Sequence, residues 1–181
     1  TMTDNGILVK LREDVYWHDG EQFTADDVVF TVNTINSYSG EGTYLNLIAQ
    51  ASGAFSSVGS MSAGRVDEFT VEISFPAGFS NMKEVLTFPI IPNHQFSGRG
   101  SNSSALQVDN YTPIGTGPYK YESYERNKSV KLVANSDYRE GKPSIAIVIG
   151  KVLDDEELFL TAFEAGQIDI SPTNGVDWDK Y

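Results

Sequence analysis

Cysteine is absent from the 181 residues, which excludes disulfides, thiolate nucleophiles and cysteine-based zinc sites together. Basic residues are scarce, 13 Lys and Arg against 25 Asp and Glu. The resulting net charge of -12 opposes binding to phosphate backbones or anionic membrane surfaces, both of which demand clustered cations, so nucleic acid is not expected as a partner. Histidine occurs twice, at His18 and His94, far apart and without an H-x-x-x-H pair, so no metal centre is expected. No apolar run approaches the ~20 residues needed to cross a bilayer. The segment 1–6 lacks the basic region and apolar stretch of a secretion signal. G-x-S-x-G is missing, and Gly115-Thr116-Gly117 is too short for a dinucleotide fingerprint. Neither a catalytic residue nor a cofactor is expected.

What is present describes a folded chain. An apolar fraction of 40% with charged residues at 21% suits a soluble globular unit, and 12% aromatic residues exceed what a disordered tail carries. Ile7, Val9 and Leu11 share one face of a strand that begins almost at once, so the chain is expected to be an internal piece of something longer. Trp17-His18-Asp19-Gly20 ends in an Asp-Gly pair suited to a tight reversal. After it, Thr24 is placed to cap a helix from Ala25 to Ser37, with Asp26 and Asp27 at its positive end and an apolar stripe of Val28, Val29, Val32 and Ile35. Phe23 and Val28 have the spacing of a hydrophobic staple.

Residues 39–64 are rich in Gly, Ser and Ala and predict a short helix followed by a loop. Alternation of Phe69, Val71, Ile73 and Phe75 with polar residues predicts a strand closed by Pro76. A short helix is expected over 81–86, then an extended run over 88–92. Residues 97–104 have little to bury and suggest a subdomain boundary. Beyond it, a turn at 114–118 feeds a strand at Tyr119, which the pattern pairs as a hairpin with Val130 to Ala134. Ile145 to Ile149, apolar on both faces, reads as a central strand buried between layers. A last helix, capped by Asp154 or Asp155, is expected to bury Leu158, Phe159, Ala162 and Phe163 and to stop at Gly166. The fold class is mixed α/β.

Against that outline, the run from Leu11 to Phe30, LREDVYWHDGEQFTADDVVF, resembles the signature segment of the family 5 solute-binding proteins, the peptide and nickel receptors of ABC importers. Gly115-Thr116-Gly117-Pro118-Tyr119-Lys120, Asn135-Ser136-Asp137-Tyr138 and Gly141-Lys142-Pro143 follow in the family's order, as do 86–94 and 163–170. The segments 39–64 and 97–110 carry no family motif. The resemblance implies a partial lobe of a type II periplasmic-binding-protein-like fold. Residues 1–110 would form the small subdomain of the first lobe, residues 111–181 part of its main sheet, and the second lobe would lie outside this chain. It further implies a non-enzymatic receptor outside the cytoplasmic membrane, periplasmic or a surface lipoprotein, that hands a peptide or similar small solute to a membrane permease. Tyr38, Tyr44 and Asn46 follow the signature helix in a loop that faces the cleft in related peptide receptors. They are the implied ligand contacts, Tyr44 first, with packing beneath the loop as the other reading.

Two rival functions stay open at this level: a standalone interaction module on the same scaffold, and a carboxylate-dependent hydrolase using pairs such as Asp26/Asp27, Asp154/Asp155 or Glu156/Glu157. All three pairs sit at helix starts, where the helix dipole accounts for them. Trp17, His18, Asp19 and Asp26 likewise have the spacing of a turn and a capped helix, a structural alternative to an active site.

Overall fold

The computed structural model describes residues 2–3, 6–37, 61–75, 86, 88–96, 112–153 and 156–170. Two antiparallel sheets organise them. The first has four strands, β1 (Met2–Thr3), β2 (Gly6–Lys10), β3 (Ser62–Asp67) and β4 (Thr70–Ser74), in the order β1-β2-β4-β3. Period-2 alternation explains its buried face: Ile7 opposes Ile73 across β2 and β4, Val71 lies on the same side, and Thr70 and Glu72 turn away. Against that face packs helix α1 (Ala25–Ser37), which contributes Ala25, Val28 and Val32 to a core completed by Met61, Phe75 and Phe88. Val29 and Ile35 flank this core and are only partly buried.

Gly6 shows how closely β2 and β4 approach, because a Cβ there would stand 2.5 Å from the Ile73 carbonyl oxygen. Only glycine fits beside that backbone. The helix has the bounds its pattern predicts, but its cap differs from expectation: the Asp27 carboxylate accepts from the Thr24 amide at 2.9 Å, the return half of a capping box. Of the short helix and loop expected over 39–64, residues 39–60 lie outside the described residues, and the end of the loop needs correction. Met61 is fully buried, and β3 starts at Ser62. As an edge strand β3 turns only Ala63 partly inward, so it carries no apolar alternation to read; main-chain pairing with β4 holds it. Its turn is set by Asp67, whose side chain accepts from the Phe69 amide at 2.9 Å.

The second sheet, in the order β5-β6-β7, comprises β5 (Tyr119–Glu125), β6 (Ser129–Ala134) and β7 (Ile147–Lys151). The predicted hairpin is β5-β6, closed through Asn127 in the left-handed region. The expectation for Ile145 to Ile149 is overturned in two respects. β7 is an edge strand, starting at Ile147, and Ile145 and Ile149 are 63% and 55% exposed. Apolar residues on both faces call for cover on both faces, and among the described residues no layer supplies it.

Helix α3 (Glu156–Glu164) follows the one-turn helix α2 (Asn93–Phe96) in chain order. It departs in the same way: Leu158 and Phe163, expected inside, are about half exposed, and Phe159 and Ala162 are only partly buried. Its stop is as predicted. Gly166 takes φ 67°, its amide bonds the Phe163 carbonyl, and the Gln167 amide bonds the Ala162 carbonyl, the two bonds of a Schellman motif. The helix expected over 81–86 and the boundary over 97–104 fall outside the described residues, Leu86 excepted. Residues 88–92 form no regular element, and among the described residues no helix is long and apolar enough to cross a membrane.

Candidate functional site

The signature run closes on itself first. Tyr16 bridges Gln22, the Trp17 amide donates to the Glu21 carbonyl at 2.7 Å, and the Gly20 amide donates to the Trp17 carbonyl at 2.9 Å with Gly20 at φ 96°. This tight reversal drives Trp17 inward, where its ring lies edge-on to Phe23 at 6.0 Å and to His94 at 6.2 Å. Asp27 waits below it. This carboxylate is 3% exposed and accepts from Trp17 Nε1 at 3.3 Å, the Thr24 amide at 2.9 Å and the Asn93 amide at 2.8 Å. A buried carboxylate without such donors would be strongly disfavoured, so these bonds explain how it is tolerated. One turn on, the Thr31 hydroxyl donates to the Asp27 carbonyl and accepts from the Ile91 amide. Asp27 and Thr31 together fasten the 88–96 segment to α1.

His18 faces the other way. Its Nδ1 accepts from the Gly115 amide at 3.1 Å and its Nε2 lies 3.0 Å from the Gly117 carbonyl, while the His18 amide donates to the Gly115 carbonyl at 2.9 Å. Lys120 Nζ donates to the His18 carbonyl at 3.1 Å. Buried Asn135 holds the far side of the same turn, donating from Nδ2 to the Gly117 carbonyl and from its amide to the Pro118 carbonyl. The Trp17–Gly20 reversal therefore docks onto the Gly115–Pro118 turn that leads into β5.

Asp19 and His94 form a partly exposed pair with Nε2 and Oδ2 2.8 Å apart. Burial acts to raise the Asp19 pKa, but the His94 bond and the Glu21 amide outweigh it and hold the carboxyl below its ordinary 3.8. A depressed carboxyl contributes stability above its unfolded pKa and loses it as pH falls through the folded value. Asp19→Asn should accordingly be less stable than the parent near pH 6, with the gap closing below about pH 3.8. Urea unfolding at both pH values reads that difference.

Every member of the attractive cluster thus has a structural partner. Trp17 and Asp27 bond each other, His18 bonds the Gly115–Gly117 turn, Asp19 bonds His94, and Asp26 pairs with Arg65. The two carboxylates of the Asp26/Asp27 pair are separated in role, one on the surface and one sealed beneath Trp17. Asp154, Asp155 and the side chains of Glu156 and Glu157 fall outside the described residues. Among those described, no group of His, Asp and Glu is placed to hold a metal ion. The implied ligand contacts Tyr38, Tyr44 and Asn46 also lie outside them. What sequence reasoning missed is the long-range use of Asp27 and His18, which reach 66 and 97 residues along the chain; the ordered recurrence of the motif blocks was the one available signal.

A sheet with one packed helix is thus joined through the signature turn to a second sheet. The chain belongs to the family described as "Bacterial extracellular solute-binding proteins, family 5 Middle", which matches residues 2–181. It is 28% identical to the oligopeptide-binding protein AppA of Bacillus subtilis over 183 residues, 97% of this chain and 32% of AppA. The structure of AppA in complex with a nonapeptide superposes with a TM-score of 0.73 at 26% identity over 92% of this chain and 32% of AppA. For the ABC transporter substrate binding protein CtaP from Listeria monocytogenes the TM-score is 0.74 at 29% identity, over 93% and 33%. MoaA from A. tumefaciens R10, solved in complex with mannopinic acid, gives 0.68 at 29% identity, over 93% and 32%. The chain spans about a third of the length of these relatives.

Proposed function

We propose that this chain is the middle of the first lobe of a receptor that captures a small solute outside the cytoplasmic membrane and passes it to an ABC permease. In this reading the receptor works by closure of two lobes and performs no chemistry on its ligand. The observation that carries it is the family match over residues 2–181, supported by the way the polar signature residues are committed to the scaffold. No observation favours the interaction module or the hydrolase. The small subdomain of the first lobe would be residues 1–110 and part of its main sheet residues 111–181, with the second lobe supplied elsewhere in the polypeptide.

Peptides are the proposed ligand class. The nonapeptide bound by AppA supports it, and mannopinic acid in MoaA marks the breadth of the scaffold. Tyr44, with Tyr38 and Asn46 beside it, is proposed to meet the ligand: an aromatic ring stacks on it while a hydroxyl bonds peptide backbone. In the intact protein Tyr44→Ala should weaken peptide binding about tenfold, the ~1.4 kcal/mol of one well-buried contact, and Tyr44→Phe should weaken it less. Calorimetric titration with short peptides measures this. Unchanged affinity in all of Tyr44→Ala, Tyr38→Ala and Asn46→Ala would place these side chains in packing rather than in the cleft.

A further inference from the structure

The second sheet has two edges, and they are built differently. On one edge, β5 carries Lys120, Glu122 and Glu125, charges of the kind with which edge strands resist further pairing. On the other, the run from Ile145 to Gly150 carries no charge, and the first to appear is Lys151. Its side chains are apolar and open on both faces: Ile147 and Ile149 on one, Val148 and Val152 on the other, between 36% and 55% exposed. The backbone is open as well. The Val152 amide bonds the Lys128 carbonyl, and the Ala134 amide bonds the Ala146 carbonyl. Bonded and non-bonded pairs alternate along an antiparallel ladder. In the register of β6 and β7 the bonded pairs between those two are therefore Val130 with Gly150 and Leu132 with Val148. The N–H and C=O groups of Ile147, Ile149 and Lys151 are left turned away from β6, and among the described residues no strand lies beyond them.

A row of main-chain donors and acceptors between two apolar faces has the form of a central strand. We propose that the free edge of β7 is a docking surface for one further strand, an extended apolar segment of the same polypeptide from outside these 181 residues. Relatives such as AppA have about two thirds of their length outside the matched region, and a tethered segment competes at a local concentration that a separate copy does not reach. A matching occupant is rich in Val, Ile or Leu and carries no charge where it lies beside Ile147 to Ile149. This inference rests on reading the chain as part of a larger lobe and deepens it, whatever that lobe binds.

Residue-resolved hydrogen–deuterium exchange of the intact protein tests it. The amides of Ile147, Ile149 and Lys151 should exchange about a hundredfold or more below their intrinsic rates, as those of Val148, Gly150 and Val152 do through β6. Protection that alternates, with 148, 150 and 152 slow and 147, 149 and 151 near intrinsic rates, overturns the proposal. A photo-reactive side chain at position 149 identifies the occupant. Besides its neighbours on β6, it should cross-link within one molecule to a peptide from outside residues 1–181. Cross-links confined to residues 1–181, or formed between two molecules, overturn the proposal. An intact protein that binds peptides while its 147, 149 and 151 amides exchange freely overturns this inference alone and leaves the receptor reading standing. Protected amides in a protein that binds no solute do the reverse.

Discussion

Asp27→Ala should lose about 3 to 5 kcal/mol of folding stability, because it orphans the Trp17, Thr24 and Asn93 N–H groups at once and each unsatisfied buried donor costs roughly 1 to 3 kcal/mol. Partial relaxation keeps the sum below the simple total. A loss of that size consumes much of a typical domain's stability of about 5 to 15 kcal/mol. Asp27→Asn should be milder but still harmful, since one carboxylate oxygen that accepts becomes an NH2 that cannot. The neighbour Asp26 provides the control: its ion pair with Arg65 is about half exposed, and Asp26→Ala should cost less than ~1 kcal/mol. Urea unfolding monitored by circular dichroism separates the two. If Asp27→Ala and Asp26→Ala were equally mild, Asp27 would not be the fastening described here.

Trp17→Ala is expected to be comparably severe, about 3 to 5 kcal/mol, as for other large aromatic residues removed from a packed interior. It empties the space between Phe23 and His94 and removes one of the donors to Asp27. Trp17→Phe divides these effects, keeping a ring while deleting the indole N–H, and should cost less. Because Trp17 and Asp27 touch, their losses should not add: a double-mutant cycle between Trp17→Phe and Asp27→Asn should show coupling of about 0.5 kcal/mol or more. Strict additivity would mean that the 3.3 Å bond between them contributes little.

The elements legible in the sequence are those whose cause is local. Helix α1 follows from its own apolar stripe, the Trp17–Gly20 reversal from Asp-Gly, and the stop of α3 from Gly166. The family resemblance was legible too, because its motifs are contiguous. Strand β3 was not, since an edge strand pinned by main-chain bonds to β4 needs no apolar face. The exposure of β7 and α3 escaped for a different reason: composition reports what a strand requires as cover, not whether these residues supply it. As for the candidate site, Tyr38, Tyr44 and Asn46 were reached only through the resemblance, whereas the roles of Asp27 and His18 depend on Asn93, Gly115 and Gly117, partners that no local pattern could name.

A thermal-shift comparison of the intact protein with the 181-residue chain, against short peptides, nickel chelates and oligosaccharides, tests the central claim most directly. A ligand at 100 times its dissociation constant adds roughly 2.7 kcal/mol to the stability of a protein that binds it only when folded. The account predicts that peptides raise the melting temperature of the intact protein and leave that of the 181-residue chain unmoved, because the cleft needs both lobes. A shift in the short chain alone, or none in either protein with any of the three ligand classes, would contradict it.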